Sequence, residues 1–214
     1  MFIGHWAPAL AVAARRKTPG LATLFIAAQL VDWAFFAFLL LGAEHMRMTP
    51  GISVMNPMDL YDMPYTHSLL GALGFAAVMG ASVWLASRDR TAALIVAAVV
   101  VSHWLLDLLV HVPDLTLAGS PPKIGLGLWN HPMIEMPLEL GITFAALWFY
   151  ARVRRPAPLR VAVLALVLLA LQAINWFGPV ASEVTAGTSL LAFFAYGSAT
   201  LAAWWMGKSA QAPA

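Results

Sequence analysis

The sequence predicts an all-α, polytopic membrane protein, and three observations carry that prediction. Hydrophobic residues make up 61% of the 214 positions, charged residues only 10%, and the mean hydropathy is +0.79, a composition outside the range of soluble domains. The apolar residues gather in runs long enough to cross a bilayer as helices. The basic residues sit between those runs in short clusters, as membrane topology requires. With a formal charge of only +2, this arrangement gives no reason to expect a nucleic-acid partner; membrane lipid is the expected surrounding. The chain has no cysteine, which excludes disulfides and thiolate metal sites and leaves His, Asp and Glu as the metal-binding side chains.

Taken in order, residues 1–14 are too short to cross a bilayer and rise about 20 Å as a helix. They are expected to form a half-span, with Pro8 in its first turn and His5 near its positive end; the alternative is a helix lying on the membrane surface. No basic residue precedes their apolar run, so they do not read as a cleaved signal peptide. Six spans follow, at residues 21–43, 67–86, 91–111, 136–151, 159–178 and 186–206. Arg15, Arg16, Lys17, Arg88, Arg90, Arg152, Arg154, Arg155, Arg160 and Lys208 fall at alternate ends of these spans, and only Arg47 and Lys123 fall opposite. Both termini are therefore expected to be cytoplasmic. Residues 44–66 and 112–131 become the two large outer loops. Trp84, Trp129, Trp176, Trp204 and Trp205 lie near span ends and read as interfacial anchors. Residues 1–208 are expected to form one integral membrane domain, with 209–214 as a short tail.

Charge inside a bilayer is costly enough to imply a task. His103, Asp107 and His111 recur every four residues, which places them along one face of the third span, and Pro113 ends that helix. Asp32 lies in mid-span between Val31 and Trp33, where an unpaired carboxylate costs about 3 kcal/mol or more. Helical rise counted from the basic turns gives each polar group a depth. His5, Asp32, His103 and Glu139 fall at about 18–20 Å, Asp107 and Glu135 at about 26 Å, and His67, His111 and His131 at about 32 Å. A polar shaft opening outward is expected. His131, Glu135 and Glu139 repeat the four-residue spacing, but Pro132 and Pro137 interrupt it, so a kink is predicted there. The fifth span offers only Gln172 and Asn175 and the sixth only Ser and Thr, which reads as scaffold. Imidazoles with two or three carboxylates suit a divalent zinc or manganese ion. Glu135 or Glu139, left over after ligation, would serve as general base.

Gly4-His5, the stretch Leu30-Val31-Asp32, Thr66-His67-Ser68, Ser102-His103 with Asp107, and Gly127-Leu128-Trp129 with Pro132 together resemble the YdjM-like family of bacterial inner-membrane, metal-dependent hydrolases over roughly residues 1–135. The resemblance implies His5, Asp32, His67, His103 and Asp107 as metal ligands, and a multi-pass protein of the bacterial inner membrane. It departs from the family where Trp33 follows Asp32 in place of a second acidic position, and where Asp62-Met63-Pro64-Tyr65 replaces a His-Arg. At least two family ligands are thus missing, which leaves three alternatives: Asp62 or His111 substitutes, the site holds fewer ions, or the fold is kept without the activity.

The expected activity is hydrolysis of a lipid or lipid-linked ester at bilayer depth. Two other classes stand beside it. A transporter would pass metal ions or protons through the same shaft, and an accessory subunit would use the polar cluster to dock other membrane subunits. Copper enters through Met46, Met48, Met55, Met58, Met63, Met133 and Met136, which fall on or beside the outer loops with His45 and offer thioethers to Cu(I). The alternative for these methionines is a flexible apolar lid.

Overall fold

The computed structural model describes residues 1–15 and 18–211; Arg16 and Lys17 of the expected basic turn lie outside the described residues. Among these, eight α-helices and one small hairpin follow in order: α1 (Trp6–Ala13), α2 (Leu21–Ala28), α3 (Leu30–Leu41), β1 (His45–Met48), β2 (Met58–Asp62), α4 (Leu69–Ser87), α5 (Arg90–Val110), α6 (Pro132–Arg154), α7 (Pro158–Phe177) and α8 (Ala186–Gly207).

α4, α5, α7 and α8 are long and apolar enough to cross a membrane, and α2 with α3 makes a fifth such stretch if the bent pair is counted as one span. α6 is long enough but more polar, and its polar residues turn inward. Glu135 and Glu139 are buried on it, whereas Met133, Ile134 and Trp148 are exposed. The outside of the bundle is apolar elsewhere too, with Leu41, Val78, Leu94, Leu166 and Phe194 exposed. That is the inverse of a soluble protein's surface and fits hydrocarbon around the bundle.

α1 packs inside. Trp6, Ala9 and Leu10 have no exposed surface, and the Trp6 indole donates to the carbonyl of Phe25. The expected surface-helix alternative is therefore replaced by a short helix held between α2 and α6.

The expected span over residues 21–43 is broken at Gln29. α2 and α3 meet there at 54°, and Gln29 has φ −110° and ψ 8°, outside the helical region. Irregular backbone at this depth is tolerated only where the protein itself supplies partners. Here the Gln29 side chain donates to Asp32 and the carbonyl of Ala28 accepts from His103.

α4 and α5 form an antiparallel pair joined by a tight turn in which Arg88 takes a left-handed conformation and Asp89 caps α5 through the N–H groups of Thr91 and Ala92. α4 buries only Ala72, Ala76 and Gly80, a small residue every four that lets the two backbones approach closely. At its other end Ser68 caps α4 by accepting from the N–H of Gly71. A Cβ at Gly71 would lie 1.6 Å from the carbonyl oxygen of Tyr65. Gly71→Ala is therefore expected to destabilise the protein by about 3 kcal/mol, the upper end for overpacking, because the Tyr65–His67 segment would have to move. An unchanged melting temperature in detergent would contradict this close approach.

α5 ends at Val110, so His111 caps the helix in extended conformation instead of lying on it as expected. Val112, preceding Pro113, is disfavoured in helix. α6 runs without interruption from Pro132, which takes the favoured first position, through Pro137. Glu135 therefore belongs to the first turn of the helix.

The loop over residues 44–66, expected on the outer side, contains structure that an all-α reading lacks. β1 and β2 pair antiparallel, with His45 opposite Asp62 and Arg47 opposite Asp59, and each of these cross-strand pairs is bonded. Met46 and Met63 are buried with Phe35, Leu60, Val110 and Trp129, and Met48, Met55 and Met58 pack against them. These five methionines thus form an apolar lid, whereas Met133 is exposed and outside it. At the opposite end, Arg154 donates to the carbonyls of Ala13, Arg15 and Gln211. Ser209 accepts from the N–H of Ala157, which pins the start of the expected tail to the turn between α6 and α7.

Candidate metal centre

Beneath the lid, five of the expected ligands come together from four elements. His5 arrives on the turn before α1, Asp32 on α3, His67 just before α4, and His103 and Asp107 on α5. All five side chains are buried or nearly so. His111, named as a substitute, joins them. Asp62 does not: it pairs with His45 on the exposed hairpin at 2.7 Å. His131 is exposed at the start of α6 and stays outside the cluster.

Asp107 is the hub. Its Oδ1 lies 3.0 Å from His5 Nε2 and 3.3 Å from His111 Nε2. Its Oδ2 lies 3.0 Å from His103 Nε2 and 3.8 Å from His67 Nε2. Asp32 Oδ1 is 3.4 Å from both His67 Nε2 and His103 Nε2. The Met1 nitrogen is also 3.1 Å from Asp107 Oδ1. Donor atoms of His5, His103 and Asp107, and of Asp32, His67 and His103, lie within 4.8 Å of one another in each trio.

A surrounding layer fixes which nitrogen of the His67, His103 and His111 rings faces inward; His5 Nδ1 is buried with no bonded partner. His103 Nδ1 donates to the carbonyl of Ala28 at 2.8 Å. His111 Nδ1 donates to Asp114 at 2.8 Å. For His67 the support is a relay: the Thr66 hydroxyl donates to Glu44 at 2.6 Å, so its oxygen accepts from His67 Nδ1 at 2.9 Å. The other Glu44 oxygen accepts the backbone N–H groups of Tyr65 and Thr66. With each Nδ1 carrying the proton, three Nε2 lone pairs point at carboxylate oxygens. Asp32 is held likewise, its Oδ2 accepting from Gln29 and from the Tyr196 hydroxyl, which leaves Oδ1 for the cluster.

Bare Nε2 lone pairs facing carboxylates repel unless a proton or a metal ion lies between them. His103 Nε2 and Asp107 Oδ2 are 3.0 Å apart, yet neither is aligned to hydrogen-bond, and both are fully enclosed. Separations of 3.0–3.4 Å match neighbouring ligand atoms around an ion with bonds of about 2.0–2.1 Å. The donor set therefore fits a divalent transition metal.

The two glutamates on α6 differ. Glu139 Oε1 accepts the N–H groups of Phe2 and Gly4, and its Oε2 accepts from Gln172; it clamps the turn that carries His5. Glu135 is buried with neither oxygen bonded. Both line a cavity of about 60 Å³ with Met55, Met58, Trp129 and Trp176.

Several contributors escape sequence reasoning. Glu44, Asp114, Gln29 and Tyr196 support the inner side chains, and Gln172 holds Glu139, so the last two helices are more than scaffold. Trp129, expected at the membrane interface, is buried and packs 4.0 Å from the His111 ring, while Trp104 donates to the carbonyl of His67. Of these, only Glu44 left a sequence signal: a carboxylate immediately past the apolar run of α3.

No family model, curated protein or solved structure matches the chain.

Proposed function

We propose that the chain is a membrane-embedded, metal-dependent hydrolase whose substrate is a lipid or lipid-linked ester. The observation that supports this reading is the convergence on Asp107 of four imidazoles, three of which, His67, His103 and His111, have their opposite nitrogen already bonded. His5, Asp32, His67, His103 and Asp107 would hold the ion, with His111 in place of a missing family ligand. Zinc is the favoured metal and manganese the second choice, since neutral imidazoles with carboxylates suit both. A divalent ion there would supply Lewis acidity and lower the pKa of water.

The remaining groups divide the other tasks. Glu135, with two free carboxylate oxygens beside the cavity, takes the proton from the attacking water as general base. Glu139 acts as a positioning residue, because its oxygens already hold the His5 turn. The Met55, Met58 and Trp129 wall of the same cavity suits an acyl chain better than a hydrated one. In the bacterial inner membrane, the gathering of basic residues at the end opposite the lid orients the lid and site outward.

The test is hydrolysis of fluorogenic lipid esters by purified protein in detergent, before and after EDTA. Activity is expected to vanish on chelation and return with zinc or manganese. Full activity in EDTA would refute the metal-dependent reading. Metal flux into sealed liposomes without turnover would move the assignment to transport.

A further inference from the structure

The His5 and His103 rings are stacked, with centroids 3.7 Å apart and planes within 8° of parallel. An imidazole binds a metal through a lone pair lying in the plane of its ring. One ion shared by both rings would sit midway, ~1.8 Å out of each plane, against a bond of only about 2.1 Å. That places it over the π faces and away from both lone pairs. Parallel stacking with both Nε2 atoms on one carboxylate instead suits two ions side by side, one in the plane of each ring. The ring separation agrees with the roughly 3.5–4 Å between metals in two-ion sites.

The carboxylate between them has the matching form. Asp107 turns Oδ1 to His5 and His111 and Oδ2 to His103 and His67, so its two oxygens serve separate sets of nitrogens. Asp32 adds its Oδ1 only to the second set.

We infer that the centre binds two divalent ions bridged by Asp107. One is held by His5 and His111 on Oδ1, the other by His67, His103 and Asp32 on Oδ2. This rests on the metal reading above and adds the number of ions and their arrangement. The second set has three protein donors besides the bridge and the first only two, so the two sites fill in sequence, the His67 site first.

The experiment is metal content by mass spectrometry on the monodisperse full-length protein after manganese loading, with electron paramagnetic resonance on the same samples. Wild type is expected to carry two manganese per chain with an exchange-coupled spectrum. His5→Ala is expected to retain one, with the six-line signal of an isolated ion; His5→Gln, closer in size, serves the same purpose if the alanine variant does not fold. One ion per wild-type chain with an uncoupled signal would overturn the two-ion arrangement while leaving the metal centre standing. Two ions retained in both His5 variants would overturn the assignment of His5. No bound manganese in folded wild type, and none after zinc loading, would overturn this inference together with the metal reading it rests on.

Discussion

Asp107→Asn is expected to weaken metal binding by more than the roughly 100-fold typical of supporting residues and to remove metal-dependent activity. Asp107 lies within 4 Å of four imidazoles, and no other side chain in the cluster does. An asparagine keeps the volume but loses the negative charge, and presents one oxygen where the carboxylate presents two. The four rings would then face one another with Asp32 as the remaining carboxylate, which reaches only His67 and His103. Removing one partner of a buried ion pair costs about 3–5 kcal/mol when the other is left charged. Here that penalty is lessened because the imidazoles can remain neutral, so the variant is expected to fold and to be empty of metal. Metal content and melting temperature measured on the same preparation separate the two effects. A folded variant with wild-type affinity for zinc would show that Asp107 is not the hub of the site.

The second large effect comes from a residue that touches none of the proposed ligand atoms. Glu44→Gln is expected to lower metal affinity by about 10–100-fold, the range for groups that orient a metal-binding imidazole. Glu44 accepts the Thr66 hydroxyl and two backbone N–H groups, and the hydroxyl thereby accepts from His67 Nδ1. A glutamine can offer its oxygen to only part of that set, and its amide group would place a donor where a donor already points. The Thr66 hydroxyl would then be free to reverse and leave the His67 tautomer unfixed. Thr66→Val should produce a loss of similar size, Thr66→Ser should restore most of it, and the double variant Glu44→Gln, Thr66→Val should be little worse than either change alone, as members of one relay are not additive. Additive losses in a chelator-competition titration would rule out the relay.

The sequence by itself determined which residues are apolar enough to form the helices and which polar residues stand out against them. The boundaries of α4, α5, α7 and α8 lie within a few residues of the expected spans, because a long apolar run has few ways to satisfy its backbone other than helix. Asp32, His103 and Asp107 were legible for the related reason that an ionisable group in such a run is conspicuous. Counting helical rise from the basic turns also placed His5 level with His103, and the two rings stack.

Only the tertiary structure decided what depends on neighbours distant in sequence. The break at Gln29 depends on His103 being present to bond the carbonyl of Ala28, 75 residues apart along the chain. The hairpin of the lid depends on pairing His45 with Asp62 and Arg47 with Asp59 across a loop, a signal too short to separate from irregular backbone. Asp62 and His131 had the chemistry of ligands but face the wrong way, whereas Glu44, Asp114 and Tyr196 looked like surface or scaffold and turn inward. Residue type gives the chemistry a side chain can perform; which atom of an imidazole faces the centre is set by the partner of its other nitrogen, and that partner comes from another helix.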